Sequence, residues 1–308
     1  MKFQLIIIFL ILLTLAIPVA PIVWLWVGKA KTKAKFDWLL KVLITGAVVF
    51  FAFNAGAWVF LSVYLKYALL LLFAFAGIRN FPRNLENRKI FGKRNSKGKI
   101  SYKLEFVFLA LLIILNIFVV KGKGFSGDAV ELSFPLKDGR HYVMQGGASR
   151  LLNLFHGSGA EKYALDITKL NSYGNRAGGI FPKELSKFNI YGVDLYSPCN
   201  GKVIEAVDGL TDNVPGVTDK ENPAGNHVSI DCSGVKVLLA HLNNGSIQVN
   251  NGAPVKDGQI IGRVGNSGNS LEPHLHIHAT RVDEQGSEIP VPMTFNGKFL
   301  TMNKIISR

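Results

Sequence analysis

The chain has 308 residues, 48% of them apolar, and carries 35 Lys and Arg against 21 Asp and Glu, a formal charge of +14. That length exceeds one ordinary domain, and the basic excess leaves nucleic acid, an anionic membrane surface or an anionic polymer as partners. Nucleic acid is set aside, because the C-terminal part has no basic helix or aromatic-basic stripe and much of the charge lies in two short segments between apolar runs, where it reads as membrane topology.

The first 120 residues consist of long apolar runs. Residues 5–27 are long enough to span, since about 20 residues cross the hydrocarbon core. A cleaved signal peptide fits less well, because no clean small-residue cleavage site follows and more apolar runs do. Lys29, Lys31, Lys33 and Lys35 come next. Residues 38–78 stay apolar for about twice one span, broken by Asn54-Ala-Gly56 and by Lys66, which predicts a helical hairpin near 38–54 and 58–78. A basic loop containing Arg79, Arg83, Arg88, Lys89, Lys93, Arg94, Lys97, Lys99 and Lys103 precedes a last run near 104–120. Both basic segments can face the cytoplasm only if an even number of spans separates them. The expectation is therefore about four spans in residues 1–123, both termini outside, and a domain at 124–308 facing the periplasm or exterior. Lys66 snorkels or faces the bundle. It is the one clear ionisable group within the runs, which argues against a transporter.

From Gly124 the texture changes to short alternating segments separated by Gly, Asn, Asp and Pro. Strands are expected at 141–145, 163–167, 202–207, 227–231, 235–242, 260–264 and 274–278, giving a mostly antiparallel β domain. The loops at 171–191 and 208–225 are too long for hairpin turns and are candidate cleft walls. The only cysteines, Cys199 and Cys232, flank the outer ends of an expected hairpin formed by 202–207 and 226–231. They can bridge if the domain lies outside the cytoplasm, or stay as buried thiols.

The most informative segment is Glu272-Pro-His-Leu-His-Ile-His278, which follows the Gly-rich run Gly265-Asn-Ser-Gly-Asn-Ser270. Alternate residues of a strand share a face, so His274, His276 and His278 project together after a turn tight enough to need glycine. Imidazoles so placed suggest a metal site with an acid/base group beside it. There is no HExxH helix and no GxSxG nucleophile elbow.

Six ordered blocks carry a resemblance: Gly201-Lys-Val203, Gly225-Asn-His-Val-Ser-Ile230, Leu239-Ala-His-Leu242, Val255-Lys-Asp-Gly-Gln-Ile-Ile-Gly262, Gly265-Asn-Ser-Gly268 and Pro273-His-Leu-His276. Over roughly residues 140–280 their order and spacing resemble the M23 zinc metallopeptidases, the lysostaphin- and LytM-like family. The resemblance implies a small antiparallel sheet, a zinc ion in a groove and endopeptidase activity on peptide cross-links of bacterial peptidoglycan. Asp166 and His276 look like zinc ligands, and His241 and His274 like catalytic histidines. The family's first ligand falls at Lys162, which as an ammonium has no lone pair. His156 is expected in its place as the third ligand. Two His and one Asp leave zinc a position for water.

The other candidates carry plainer expectations. His278 extends the strand toward the rim of the site, while His227 and His141 hold structural places. Asn153 serves a turn or a ligand, and Glu272 lines the groove or is solvated. The apolar runs and the resemblance together lead to the expectation of a zinc endopeptidase held in the bilayer of the bacterial cell (inner) membrane by several spans, acting on peptidoglycan peptides. The rival expectation, raised by Lys162, is a catalytically degenerate module that binds cell wall or regulates another hydrolase.

Overall fold

The computed structural model describes residues 2–27, 35–79, 81 and 96–308. The basic segments at 28–34 and 82–95, on which the topology expectation rests, lie outside the described residues. One compact unit is built from Ile8–Trp58 and Val63–Val120, and the bulk of another is Lys121–Arg308.

Four helices fill the N-terminal part: α1 (Lys2–Val27), α2 (Lys35–Ala55), α3 (Leu65–Arg79) and α4 (Ser96–Lys121). Among the described residues, three helical stretches are long and apolar enough to cross a membrane: Gln4–Val27, Phe36–Ala55 and Tyr102–Lys121. Large apolar side chains such as Phe9, Leu71, Ile78 and Leu104 are exposed. Exposed apolar side chains of this size suit helices that could lie in lipid. The span expected at 58–78 is shorter than its apolar run. After α2 comes a 3-10 turn (Trp58–Phe60), and α3 begins only at Leu65. With 15 residues it covers about 22 Å, short of the ~30 Å hydrocarbon core. The cause is local. Gly56 N–H donates to Ala52 O at 2.9 Å, and Trp58 Nε1 donates to the same carbonyl at 2.8 Å. These bonds close α2 and commit the following residues to the turn. Within this unit Trp58 packs with Ile22, Leu25, Val49, Ala52, Leu69 and Ala76. Lys66 is buried, with Nζ 5.2 Å from the Phe53 ring centre and 5.3 Å from that of Tyr67. It faces the bundle and does not snorkel.

The second unit is built on a nine-stranded sheet. In chain order its strands are β1 (Arg140–Gln145), β2 (Leu165–Leu170), β3 (Gly201–Val207), β4 (Asn226–Asp231), β5 (Lys236–Leu242), β6 (Pro254–Val255), β7 (Leu275–Val282), β8 (Glu288–Val291) and β9 (Ile305–Ser307). The spatial order is β9-β1-β2-β7-β5-β4-β3-β6, with β8 paired to β7. Every pairing in it is antiparallel. Two small sheets flank it, one of Val130–Leu132 with Met293–Phe295 and Lys298–Phe299, the other of Asp194–Tyr196 with Ile260–Arg263. Five of the seven expected strands match to within two residues at each end. The one expected at 274–278 runs on to Val282, where it pairs with β8. The one expected at 163–167 starts at Leu165 and runs on to Leu170, because a 3-10 turn (Gly159–Glu161) and a hydrogen bond from Ala164 N to Glu161 O occupy the residues before it.

The core lies on one face. Leu275, Ile277 and Ala279 of β7 join Leu165, Ile167, Val203, Val228, Ile230, Val237 and Leu239 in a buried cluster. The period-2 alternation of β7 therefore sends its intervening histidines to the opposite face. The β3–β4 hairpin forms as expected, with Lys202 opposite Asp231. Cys199 and Cys232, just beyond its ends, form a disulfide with Cα atoms 5.9 Å apart. Closing a loop of 33 residues' separation stabilises the fold by about 3–4 kcal/mol through the unfolded chain. Replacing both cysteines with serine should lower unfolding stability by that amount, read by denaturant melts. A change within ±0.5 kcal/mol would show that the bridge contributes nothing to the fold.

Candidate metal centre

The site begins with strand register. His276 of β7 lies opposite Asp166 of β2 on one side and Ala240 of β5 on the other. Directly opposed residues of an antiparallel pair share a face, so the Asp166 carboxylate and the His276 ring meet. His276 Nδ1 is 3.0 Å from Asp166 Oδ1, and His274 Nε2 is 3.4 Å from the same oxygen. A bulge in β1 between Val143 and Gln145, opposite Asp166, bends the sheet beside this point.

His241 is the last residue but one of β5 and adopts φ +63°, a left-handed conformation rare outside glycine. Backbone bonds fix it there: its N–H donates to Ala224 O and its carbonyl accepts from Gly265 N–H, both at 3.0 Å. The turn brings the His241 ring centre to 4.8 Å from that of His274 and 5.7 Å from that of His276. A glycine packed against the Gly-rich run makes this packing possible. Gly225 has φ +61°, and a Cβ there would lie 2.5 Å from the Ser267 carbonyl carbon. Strain of this kind persists where surrounding structure over-determines it, and it clusters at functional sites.

Hydrogen bonds orient the rings. His241 Nδ1 is 2.9 Å from Ser267 O, and His274 Nδ1 is 2.8 Å from Glu272 O. A carbonyl only accepts, so each Nδ1 carries a hydrogen; a neutral His241 keeps its Nε2 lone pair for the site, while His274 turns its Nε2 toward Asp166 Oδ1. Donor atoms of His241, His274 and His276 all lie within 4.8 Å of one another. Asp166, His241, His274 and His276 are each less than 10% exposed.

Charge follows from this burial. Burial alone would raise the Asp166 carboxyl, but the positive charge of His274 and hydrogen bonds from His274 and His276 outweigh it and hold the group well below its ordinary value. For His274 burial works toward a lower value, and the Asp166 charge overcomes it, so its proton is held more tightly than usual. Burial, then the charges of His274 and His276, hold His241 far below the usual imidazole value, so it is neutral at pH 7.

This donor set fits a borderline divalent metal. Ligands 2.0–2.2 Å from a tetrahedral zinc stand about 3.4 Å apart, close to the 3.0 and 3.4 Å separations at Asp166. Two imidazoles with carbonyl-held Nδ1–H groups have the outer-shell support that metal-binding histidines show.

The expected third ligand, His156, is not brought to these residues. It lies in a 3-10 turn (Leu154–Gly157) capped by Asn153, whose side chain accepts from Phe155 N. The turn aims the His156 ring at Tyr163, 6.1 Å between centres, and a hydrogen bond joins it to the Lys162 backbone. His156 belongs to neither of the two three-donor groups among the described residues. Its neighbour Phe155 meets the site instead, with its ring 5.1 Å from that of His276. A 3-10 turn rotates successive side chains by about a third of a circle, so only one of the two can face inward. The sequence shows a histidine near the right place but not the phase of a four-residue turn. Lys162 points its Nζ over the Tyr163 ring, 5.3 Å from the centre.

His278, expected at the rim, is buried, and its Nδ1 lies 3.0 Å from His276 Nε2. Asn153 is structural, donating to Gly147 O, Lys162 O and Ala164 O. His227 bonds Gly225 O at 2.7 Å, while His141 is buried with neither ring nitrogen hydrogen-bonded. Glu272 is not a solvated loop carboxylate. It makes a two-point ion pair with Arg176, Nε–Oε1 2.7 Å and Nη2–Oε2 2.8 Å, with both side chains buried. The same residue's carbonyl holds His274, so Arg176 anchors the segment that sets the His274 ring. Arg176 sits in the long loop expected as a cleft wall, and no sequence signal distinguishes it there from a surface arginine.

Residues 188–289 match the model of peptidase family M23. That stretch contains His241, His274, His276 and His278 and stops short of Asp166 and His156. No curated protein matches the chain in sequence. Among solved structures, a zinc-containing peptidase from Vibrio cholerae is 26% identical, with 39% of this chain and 26% of that chain covered and a TM-score of 0.24. A peptidase M23 structure from Pseudomonas aeruginosa is 21% identical, covering 61% of this chain and 57% of that one, TM-score 0.28. The catalytic domain of the antimicrobial peptidase lysostaphin from Staphylococcus simulans is 27% identical, covering 36% and 82%, TM-score 0.23. The chain thus spans about a quarter of the length of the Vibrio protein and just over half of the Pseudomonas one.

Proposed function

We propose that this chain, whose C-terminal domain is of the M23 peptidase type, is a membrane-anchored zinc endopeptidase that hydrolyses peptide cross-links of bacterial peptidoglycan. The observation that carries the reading is the convergence of Asp166, His241, His274 and His276 in one buried cluster. Asp166 Oδ1 and His276 Nδ1 would hold the zinc. When bound, zinc acidifies a water molecule and polarises the scissile carbonyl. The pair His241 and His274 supplies what remains: a third nitrogen donor in place of Lys162, and a group that takes a proton from the attacking water and returns it to the leaving amine. Their carbonyl-held Nδ1–H groups turn both Nε2 atoms into the site, that of His241 unprotonated and that of His274 toward Asp166. Arg176 and Glu272 hold His274 in place.

Anchoring follows from the three apolar helices, which could place the domain next to the wall. The Cys199–Cys232 bridge fits an oxidising compartment, and so a domain facing the periplasm or exterior. Lys162 and the position of His156 favour a second reading, an inactive M23-like module that binds wall peptide or regulates another hydrolase. Metal separates the two. Full-length protein purified in detergent should carry about one zinc per chain and cleave isolated cell-wall peptides, both reversed by a chelator. Zinc-free protein after expression with zinc supplied would refute the enzyme and leave the binding module.

A further inference from the structure

His276 has a different partner on each ring nitrogen. Its Nδ1 faces Asp166 at 3.0 Å, and its Nε2 faces His278 Nδ1 at 3.0 Å. On the Nε2 side, donor atoms of Glu161, His276 and His278 all lie within 4.8 Å of one another. Resting on the metallopeptidase reading, we infer that Glu161, His276 and His278 form a second position for a divalent cation of the zinc class, and that it excludes the position at Asp166.

Two nitrogens and one carboxylate oxygen are three protein ligands of the type zinc takes. Glu161 brings the negative charge. It ends a 3-10 turn (Gly159–Glu161) whose backbone is tied by Glu161 N to Ser158 O at 2.9 Å and by Ala164 N to Glu161 O at 2.8 Å. The turn thus presents the residue before Lys162, and not Lys162 itself, to the last core strand. Exclusion follows from chemistry: a neutral imidazole has one lone pair, so His276 gives it to one side at a time. When Nε2 is the donor, Nδ1–H is held by Asp166, and the carboxylate changes from ligand to orienting partner.

The outer position also has a functional consequence. A cation held by His276 Nε2 sits on the opposite side of that ring from Asp166, whose Oδ1 also faces His274. A cation there is displaced from His241 and His274, so the enzyme holds its metal without aligning it for hydrolysis. His276 is then a switch between a working seat and a holding seat.

Zinc content and affinity of the full-length protein in detergent test this, without reference to activity. Asp166→Asn should keep about one zinc per chain, bound more than roughly tenfold more weakly than in wild type. Adding Glu161→Gln or His278→Gln to Asp166→Asn should abolish binding, with thermal melts confirming that each variant is folded. With cobalt in place of zinc, the visible spectrum of Asp166→Asn should differ from that of His278→Gln, since each leaves a different seat. Folded Asp166→Asn without metal, while wild type binds one equivalent, would overturn the second position and leave the peptidase reading intact. Retention of metal by both double variants would overturn it as well. Wild type without zinc would instead refute the peptidase reading itself.

Discussion

His276→Ala should strip the metal from the protein and lower peptide hydrolysis by about 10³–10⁴-fold, the several kcal/mol of barrier that metal assistance supplies. His276 is the residue on which the cluster turns. It is opposed to Asp166 and Ala240 by register, bonded to Asp166 through Nδ1 and to His278 through Nε2, and packed against Phe155. No neighbour can replace it on either side. His241→Gln and His274→Gln should behave differently. Each should lose about 10²–10⁴-fold in rate through the missing acid/base group. The one that also loses zinc is the third donor standing in for the position held by Lys162. Rates with isolated cell-wall peptides and zinc content per chain decide the matter. Full metal content in His276→Ala would show that the metal lies elsewhere.

The second large effect is expected at a pair with no direct part in chemistry. Arg176→Leu should destabilise the domain by about 3–5 kcal/mol, because it leaves the Glu272 carboxylate buried without its cation. Arg176→Leu combined with Glu272→Leu should recover most of that loss, since replacing a buried pair by apolar groups removes both charges from a site costly for either alone. Hydrolysis should fall in Arg176→Leu beyond what unfolding explains, because the Glu272 carbonyl fixes the His274 ring. Denaturant melts read the first effect, and the rate at a temperature where the variant stays folded reads the second. A double variant no more stable than the single one would show that the pair acts through shape and not charge.

Much of this protein can be read from local pattern. The helices follow from long apolar runs, since a segment able to cross lipid must satisfy its backbone internally. Five of the seven expected strands appear with small shifts, because alternation and Gly/Asn/Asp breaks are local signals. The shared face of His274, His276 and His278 is a consequence of the two-residue period, and the hairpin that brings Cys199 to Cys232 follows from two adjacent strands. The misses are of another kind. The run at 58–78 is apolar but for Lys66, yet the bonds of Gly56 and Trp58 to the Ala52 carbonyl close α2 at Ala55 and the next helix starts only at Leu65, a contact between side chain and backbone that hydropathy does not register. His156 was expected inward, and a capped four-residue turn sends Phe155 there instead.

Residue type and spacing along the chain by themselves determine an apolar helical region, an antiparallel domain and a histidine strand able to meet a metal. Tertiary structure alone decides which groups complete that strand. Asp166 is 110 residues from His276 and Arg176 is 96 residues from Glu272, and they meet only because strand register and loop packing place them there. Ligand geometry depends on which of two ring nitrogens faces which partner. That is set by carbonyls and carboxylates contributed from other strands, so one residue pattern, His-Leu-His-Ile-His, can take the three roles proposed above only once the sheet is assembled.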